Sequence, residues 1–331
     1  MFKNKSILIT GGTGSFGKAF IKDIIYNHGN FKKLIIFSRD ELKQFEMSQQ
    51  KEFQHSNLRM FLGDIRDLGR LNRAFENIDI VIHAAALKQV PAAEYNPFEF
   101  VKTNVIGTEN IINAALDQNV KQVISLSTDK ASSPINLYGA TKLCSDKLIL
   151  AANNYKGSKK TTFSVVRYGN VSNSRGSVIP FFKEMNKSGK KLPLTHEEMT
   201  RFNISLNLAI EMVKIALKNK EKKTILVPKL KSFYVKDLIE SISGKKKNFK
   251  IVGIRPGEKI YEELINPAEA RHTVEFKDFY MILSDRSDHD INNFCKTNNC
   301  KKVASDFSYN SRDNKIFLDI KDLKKIAQNL D

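Results

Sequence analysis

Short apolar runs alternate with longer amphipathic segments through the first half of the chain. The apolar runs lie at 5–10, 34–37, 60–64, 78–86, 121–127 and 162–171. Runs of this length between turn residues predict buried strands, whereas segments such as 104–116, with apolar residues at helical spacing, predict helices. Strands that alternate with helices pair in parallel, so we expect the α/β fold class with a doubly wound parallel sheet.

The pattern becomes less regular after the sixth predicted strand. Short strands mixed with loops indicate a smaller mixed α/β C-terminal lobe that would bind a substrate. We assign 1–174 to the sheet domain, 175–200 and 225–285 to the lobe, and 286–331 to a C-terminal tail that ends in an amphipathic helix. A helix within 201–224, near 205–218, is expected to return to the sheet.

The composition is that of a soluble globular protein, with 41% hydrophobic and 27% charged residues among 331. No apolar stretch approaches the roughly 20 residues that span a bilayer. The N-terminus runs directly into a strand and a Gly-rich turn, so we expect neither a membrane partner nor a secretory signal. Cys144, Cys295 and Cys300 are odd in number and lack metal-ligand spacing, which favours reduced thiols in a cytoplasmic protein without a metal site.

A formal charge of +18 suggests an anionic partner. Nucleic-acid binding is disfavoured because the lysines are scattered in short runs, such as 218–223 and 245–247, without interleaved aromatic residues for base stacking. Anionic small ligands explain part of the same charge.

A Gly-rich turn after the first strand predicts a dinucleotide site. Gly11, Gly14 and Gly17 are spaced G-x-x-G-x-x-G, and Gly12, Gly14 and Gly17 also satisfy G-x-G-x-x-G. The turn follows a strand and opens a helix, which is the context that the mechanism requires. Glycine lets the backbone approach a pyrophosphate, whose charge then meets the helix N-terminus. Residues 1–174 are therefore expected to form a Rossmann domain.

The end of the second strand favours NADP over NAD. NAD-binding domains usually place an acidic residue about 20 residues past the glycines. This chain has Ser38 and Arg39 there, with Lys43 one helical turn further, and these groups suit the extra phosphate of NADP. Asp40 is the residue that argues for NAD. Asp64 is placed to reach the adenine, and the strand-four alanines, Ala84, Ala85 and Ala86, would pack against the cofactor.

Tyr138 and Lys142 form a Tyr-x-x-x-Lys pair that follows a strand and opens a helix. A free phenol has a pKa near 10, so stabilising the phenolate at pH 7 requires on the order of 4 kcal/mol. An ammonium group one turn along, together with a positive nicotinamide, would supply much of that energy. The pair therefore indicates hydride transfer at an alcohol. Tyr155 and Lys159 repeat the spacing around a glycine, and we interpret that copy as a surface loop.

The sequence resembles the inverting UDP-N-acetylglucosamine 4,6-dehydratases, extended short-chain dehydrogenases that begin pseudaminic acid synthesis. The resemblance covers roughly 1–285 and is carried by GGTGSFG, SRDELKQFEM, GDIRD, HAAALKQVPAAEYNP, STDKASSPINLYGATK, RYGNV, SRGSV, MTRF and IRPGEK. It implies oxidation of carbon 4 of the sugar, loss of water across carbons 5 and 6, and hydride return to carbon 6. The proton then returns to the opposite face of carbon 5.

The resemblance assigns the elimination to two adjacent residues, with Lys130 as the base and Asp129 as the acid. For these roles the pKa of Lys130 must fall, with Lys88 and Lys142 as neighbouring cations, and that of Asp129 must rise. Each would oppose the other if both were charged and in contact. We therefore expect their side chains to diverge around the substrate.

Further site residues follow from the same matching. The expected catalytic residues are Asp129, Lys130, Tyr138 and Lys142. The expected cofactor residues are Gly11, Thr13, Gly14, Ser15, Phe16, Gly17, Ser38, Arg39, Asp40, Glu41, Lys43, Asp64, Ile65, Ala84, Ala85, Ala86, Lys88, Thr103, Tyr138, Lys142 and Asn170. The expected substrate residues are Lys88, Asn170, Arg175, Ser177, Val178, Thr195, Arg201, Arg255 and Glu258. Asn203 departs from the aromatic residue common in the family.

Two other functions stay open at this point. A UDP-sugar 4-epimerase shares the tyrosine and the sheet, but it usually carries small hydroxyl residues where this chain has Asp129 and Lys130. A basic NADP-binding scaffold without catalysis is the second alternative. The resemblance also implies a homo-oligomer, since related enzymes assemble as hexamers or dimers.

Overall fold

A computed structural model describes residues 1–172, 177–246, 248–284 and 286–328. The strands are β1 (Ser6–Thr10), β2 (Lys33–Ser38), β3 (Leu58–Leu62), β4 (Ile80–His83), β5 (Gln122–Thr128), β6 (Thr162–Tyr168), β7 (Asn170–Val171), β8 (Leu192–Leu194), β9 (Thr200–Ile204), β10 (Thr224–Pro228), β11 (Lys231–Tyr234), β12 (Phe249–Ile251), β13 (Glu263–Ile265), β14 (Thr273–Glu275), β15 (Phe279–Leu283), β16 (Lys301–Lys302) and β17 (Tyr309–Asn310). The helices are α1 (Ser15–Asn27), α2 (Glu41–Ser48), α3 (Leu68–Phe75), α4 (Val90–Tyr95), α5 (Pro97–Phe100), α6 (Gly107–Asp117), α7 (Leu137–Tyr155), α8 (Val178–Lys187), α9 (Leu206–Lys218), α10 (Val235–Ser243), α11 (Pro267–Ala270), α12 (Asp288–Asn298) and α13 (Ile320–Gln328).

The main sheet has ten strands in the order β16-β14-β15-β10-β6-β5-β4-β1-β2-β3. From β3 to β10 every neighbouring pair is parallel, whereas β15, β14 and β16 add an antiparallel edge. The order 3-2-1-4-5-6 is that of a doubly wound sheet, which binds its ligand beyond the carboxyl ends of the strands. The predicted α/β fold class is confirmed.

The sixth predicted strand, 162–171, is divided in the structure. β6 ends at Tyr168, and β7 leaves the main sheet to pair with β9. Gly169 lies at the break, where an added Cβ would come within 2.6 Å of the Phe202 side chain. The chain therefore crosses from the main sheet to the smaller one at a position that has no room for a side chain.

The division into a sheet domain and a lobe stays a prediction, but three strands in the stretch that we gave to the lobe, β10, β14 and β15, pair within the main sheet. β10 and β15 are nearly continuous apolar runs, which suit a central strand covered on both faces, and local pattern alone does not say which sheet a strand joins. Helix α9 lies where predicted and contacts β5, β6 and β10.

A second apolar cluster lies apart from the main core, and the tail contributes to it. Most of its members come from α8, β8, α10 and α13, including Leu192, Leu194, Leu238 and Leu323. β17 pairs with β13, and α13 packs on α10. The predicted amphipathic helix of the tail is thus confirmed, and it closes the smaller core. No helix within the described ranges is long and apolar enough to cross a membrane.

Candidate active site

One cavity of about 1480 Å³ runs from the Gly-rich turn to the smaller core. Its lining includes the predicted cofactor residues Gly11, Thr13, Gly14, Ser15, Phe16, Gly17, Ser38, Arg39, Asp40, Lys43, Ile65, Ala84, Ala85, Ala86, Lys88, Thr103, Tyr138, Lys142 and Asn170. It also includes the predicted substrate residues Ser177, Val178, Thr195, Arg201, Arg255 and Glu258, with Lys130 between the two groups. Glu41, Asp64 and Asp129 do not line it, and Arg175 lies outside the described residues.

The Gly-rich turn is shaped for a close approach of a ligand to the backbone. Gly11 has a φ of +68°, and a Cβ there would lie 3.0 Å from the backbone of Ala85. A Cβ at Gly17 would come within 2.5 Å of the Gly12 backbone. Gly14 caps α1 without a side-chain hydrogen bond, so the helix N-terminus at the cavity is not covered by its own cap. These features fit a pyrophosphate.

Cations and two carboxylates meet at the end of β2. Asp40 caps α2 by accepting from the Lys43 backbone, and its carboxylate also pairs with the Lys43 ammonium group. Arg39 lies 3.6 Å from Asp64, whose carboxylate is also held by Arg66 at 2.7 Å. Asp64 thus forms ion pairs with two arginines, and its neighbours Gly63 and Ile65 line the cavity whereas Asp64 itself does not. Its placement at the adenine stays a prediction.

Helix α7 presents Tyr138 and Lys142 from its first two turns. Its N-cap, Asn136, accepts from Gly139 and donates to the Gly257 carbonyl, which ties the helix start to the loop that carries Arg255 and Glu258. The Lys142 ammonium group donates to the Leu126 carbonyl at 2.9 Å.

The local charges differ from those that we expected for this pair. Burial raises the pKa of Tyr138 to about 12, although the charge of Lys130 and a hydrogen bond with Thr128 act to lower it. Burial also lowers the pKa of Lys142. The charge of Lys130 lowers the pKa of the phenol, whereas the Lys142 ammonium group donates to a backbone carbonyl.

Asp129 and Lys130 are in contact, so the expectation that their side chains diverge is wrong. The Lys130 ammonium group lies 2.9 Å from Asp129 and 3.3 Å from the amide oxygen of Asn170. Asp129 is fully buried, and a buried carboxylate requires a nearby counter-charge. Thr128 donates a second hydrogen bond to the same oxygen of Asp129, and the other oxygen is buried without a partner among the described residues.

The expected fall in the pKa of Lys130 is also wrong for this arrangement. Burial lowers that pKa, but the carboxylates of Asp129 and Glu262 outweigh burial and raise it above its ordinary value. For Asp129, burial is the largest influence and raises its pKa, in the expected direction.

Glu262 is a site residue that the sequence reasoning missed. It lines the cavity, lies 3.2 Å from the Lys130 ammonium group, and is 3.6 Å from Arg201. The guanidinium group of Arg201 also donates to the carbonyls of Thr200, Ile260 and Lys259. No spacing in the sequence links residue 262 to residue 130, so this contact emerges only from the fold.

Several other polar residues near the cavity make contacts within the protein. Thr195 donates to Glu258 at 3.1 Å. Asn104, next to the predicted Thr103, accepts from the Leu87 amide and donates to the Leu87 carbonyl, within a π-helical turn over Val101–Ile106. Asn203 accepts from Ser172 and lines the cavity, so this chain makes a polar contact where the family commonly has an aromatic residue.

Comparison with known proteins extends the sequence resemblance over the whole chain. A family described as polysaccharide biosynthesis protein matches residues 7–284. The chain is 46% identical over 331 residues to the inverting UDP-N-acetylglucosamine 4,6-dehydratase of Campylobacter jejuni subsp. jejuni serotype O:2, with 98% of each chain covered. It is 39% identical over 338 residues to the UDP-glucose 4-epimerase of Rickettsia massiliae, covering 100% of this chain and 97% of that one. The X-ray structure of Pen from Bacillus thuringiensis matches with a TM-score of 0.88 at 37% identity, over 99% of both chains. The resemblance stated from the sequence is confirmed.

Proposed function

We propose that this chain, which belongs to the polysaccharide biosynthesis protein family, is a UDP-N-acetylglucosamine 4,6-dehydratase that inverts carbon 5. One observation carries the proposal: Asp129 and Lys130 form a largely buried acid–base pair beside the cavity that Tyr138 also lines. An epimerase needs the tyrosine but has no water to eliminate. The product would be a UDP-4-keto-6-deoxy-L-arabino-hexosulose, which fits the start of pseudaminic acid or related surface-glycan synthesis.

Tyr138 is the group that we propose to take the proton of the carbon 4 hydroxyl. A nicotinamide dinucleotide at the Gly-rich turn, when bound, supplies the acceptor for the carbon 4 hydride and returns that hydride to carbon 6. Because its pKa is raised to about 12, Tyr138 is protonated at neutral pH and needs a cation beside its oxygen before it can accept a proton. Lys130 and Lys142 line the same cavity and are the available cations.

Lys130 is the member of the acid–base pair that reaches the cavity, so we propose that it contacts the sugar. Proton transfer across the 2.9 Å contact converts an ammonium and a carboxylate into an amine and a carboxylic acid without changing the net charge. Burial, which raises the pKa of Asp129, favours the neutral acid. The raised pKa of Lys130 favours the ion pair at rest, and one proton transfer across the contact turns that pair into a base and an acid.

The protons of the elimination step then balance between Lys130 and Asp129. Once carbon 4 is a ketone, the Lys130 amine takes the carbon 5 proton and becomes an ammonium group. Lys130 passes one proton to the departing carbon 6 hydroxyl, which leaves as water, and Asp129 replaces that proton through the same hydrogen bond. The resemblance implies that Asp129 donates directly, but Asp129 does not line the cavity, so we propose that it acts through Lys130.

Arg39 is expected to set the preference for NADP. Replacing Arg39 with alanine should weaken NADP binding about 10- to 100-fold, the effect of losing a hydrogen bond to a charged group worth roughly 1.5–3 kcal/mol. NAD affinity should stay within about twofold. Titration calorimetry with both dinucleotides measures the ratio, and Arg59→Ala, on an exposed arginine outside the cavity, is the control. An equal loss for both dinucleotides would contradict NADP specificity.

Other features support the setting that we propose for the enzyme. Cys144, Cys295 and Cys300 form no disulfide, which fits the reducing cytoplasm.

Tyr95 and Phe98 form an exposed aromatic patch on neighbouring helices, with 90% and 60% of their surface accessible. Such a patch fits a homo-oligomer contact.

Incubation with UDP-N-acetylglucosamine and NADP separates the candidate functions. Mass spectrometry should show a product lighter than the substrate by one water. An isomer of unchanged mass would favour the epimerase, to which the Rickettsia relative gives some support. Bound NADP without turnover would favour the scaffold.

A further inference from the structure

Glu262 is a buried carboxylate whose contacts centre on Lys130. Its Oε1 lies 3.2 Å from the Lys130 ammonium group and 3.6 Å from the Arg201 guanidinium group. Its Oε2 is buried without a hydrogen-bond partner among the described residues. With Asp129 at 2.9 Å and Asn170 at 3.3 Å, Glu262 completes a set of three acceptors for the three ammonium protons of Lys130.

The tail of the chain fixes the backbone of Glu262 in this place. Ser311 accepts from the Glu262 amide at 2.9 Å and donates its own amide to the Glu262 carbonyl at 2.8 Å. The Ser311 hydroxyl also lies 2.9 Å from that of Thr200, which precedes Arg201 on β9. These two bonds hold the Glu262 backbone within reach of Lys130, to which the carboxylate extends.

Several charged groups surround the Lys130 ammonium group. Asp129 and Glu262 are the carboxylates, and the titratable groups that act on Lys130 from other elements are Arg201, Lys88, Tyr138 and Lys259. Lys130 and Arg201 lower the pKa of Glu262 against its burial, which favours its ionised form. The negative charge of Glu262 in turn adds to burial in raising the pKa of Asp129.

We propose that Glu262 is a positioning residue that serves as the counter-ion of Lys130, so that Asp129 can hold a proton beside an ammonium group. With one carboxylate, a buried ammonium group would hold Asp129 in its ionised form. With two carboxylates, the like-charge repulsion is relieved when one of them is protonated. Glu262 is the one stabilised as the anion, so the proton belongs to Asp129. This role rests on the proposed dehydration.

The pH profile of the reaction tests this role through Glu262→Gln. Removing the negative charge lowers the pKa of both Asp129 and Lys130, since Glu262 raises both. The acidic and alkaline limbs of kcat/KM should therefore both move to lower pH by about one unit. A lower plateau with unmoved limbs is what a purely structural role would give, and it would overturn the proposal.

Two further variants sharpen the comparison. Glu263→Gln is the matched control, because Glu263 is the next carboxylate in the chain but bonds Ser133 and Ser308 instead of Lys130. The acidic and alkaline limbs of its pH profile should coincide with those of the wild type. Glu262→Asp keeps the charge and should hold both limbs closer to their wild-type positions, so a shift as large as that of Glu262→Gln would contradict a counter-ion role.

A measurement independent of turnover keeps this role separate from the proposed function. Competitive acetylation of Lys130, read by peptide mass spectrometry over a pH series, should show half-modification at lower pH in Glu262→Gln than in the wild type. Equal midpoints would overturn the counter-ion role even if the wild type dehydrates UDP-N-acetylglucosamine. A wild type that forms no dehydrated product but shows the acetylation shift would contradict the proposed function alone.

Discussion

Replacing Lys130 with methionine should abolish dehydration while leaving cofactor binding intact. Methionine approximates the length of lysine but removes the group that takes the carbon 5 proton. Positioned acid–base groups contribute about 10²- to 10⁴-fold, so kcat/KM for water loss should fall by at least that factor. Because the Gly-rich turn does not involve Lys130, the dissociation constant for NADP should stay within about threefold.

The control for this variant is Lys159→Met. Lys159 belongs to the second Tyr-x-x-x-Lys copy, and its ammonium group bonds the amide oxygen of Asn119 in an exposed contact. Its removal should leave turnover unchanged. Full dehydratase activity in Lys130→Met, measured by loss of substrate and product mass, would contradict the assignment of Lys130.

Replacing Arg167 with methionine should cause the largest loss of stability. Arg167 is fully buried, donates to both oxygens of Glu269 at 2.9 and 2.8 Å, and lies 3.3 Å from Asp146. Asp146 lies one turn beyond Lys142 on α7 and also accepts from Ser127. Removing the cation from a buried network leaves uncompensated carboxylates, which costs about 3–5 kcal/mol.

Urea denaturation compares this variant with Arg286→Met. Arg286 pairs with Glu221, but both side chains are about a third exposed, and surface pairs contribute only about 0–1 kcal/mol. Adding Asp146→Asn to Arg167→Met should restore part of the stability by removing one stranded charge. A loss in Arg167→Met no greater than that in Arg286→Met would show that the network does not stabilise the fold.

Local sequence was sufficient to predict the features that are formed by residues close together in the chain. The strand, the Gly-rich turn and α1 follow within one stretch, and Tyr138 and Lys142 share one helix. Spacing, together with a strand before each motif, was therefore enough to predict both motifs. The alternation of strands and helices also predicted the parallel order of the sheet, which the structure confirms.

Contacts between distant segments could not be predicted in the same way. The contact of Asp129 with Lys130 depends on how deeply the 3₁₀ turn after β5 is buried, and an adjacent pair in the sequence carries no information on burial. Glu262 reaches Lys130 because Ser311, in the tail, bonds the Glu262 backbone just before β13. β10, β14 and β15 fall within the stretch assigned to the lobe because an apolar run does not specify which strand it pairs with.

Proton NMR of the product formed from UDP-N-acetylglucosamine in deuterated water tests the central claim most directly, namely that Lys130 and Asp129 remove water after oxidation at carbon 4. If they do, the product carries a methyl group at carbon 6, deuterium at carbon 5, and ring couplings of the L-arabino configuration. A product that keeps its carbon 6 hydroxyl and the original proton at carbon 5 would contradict it.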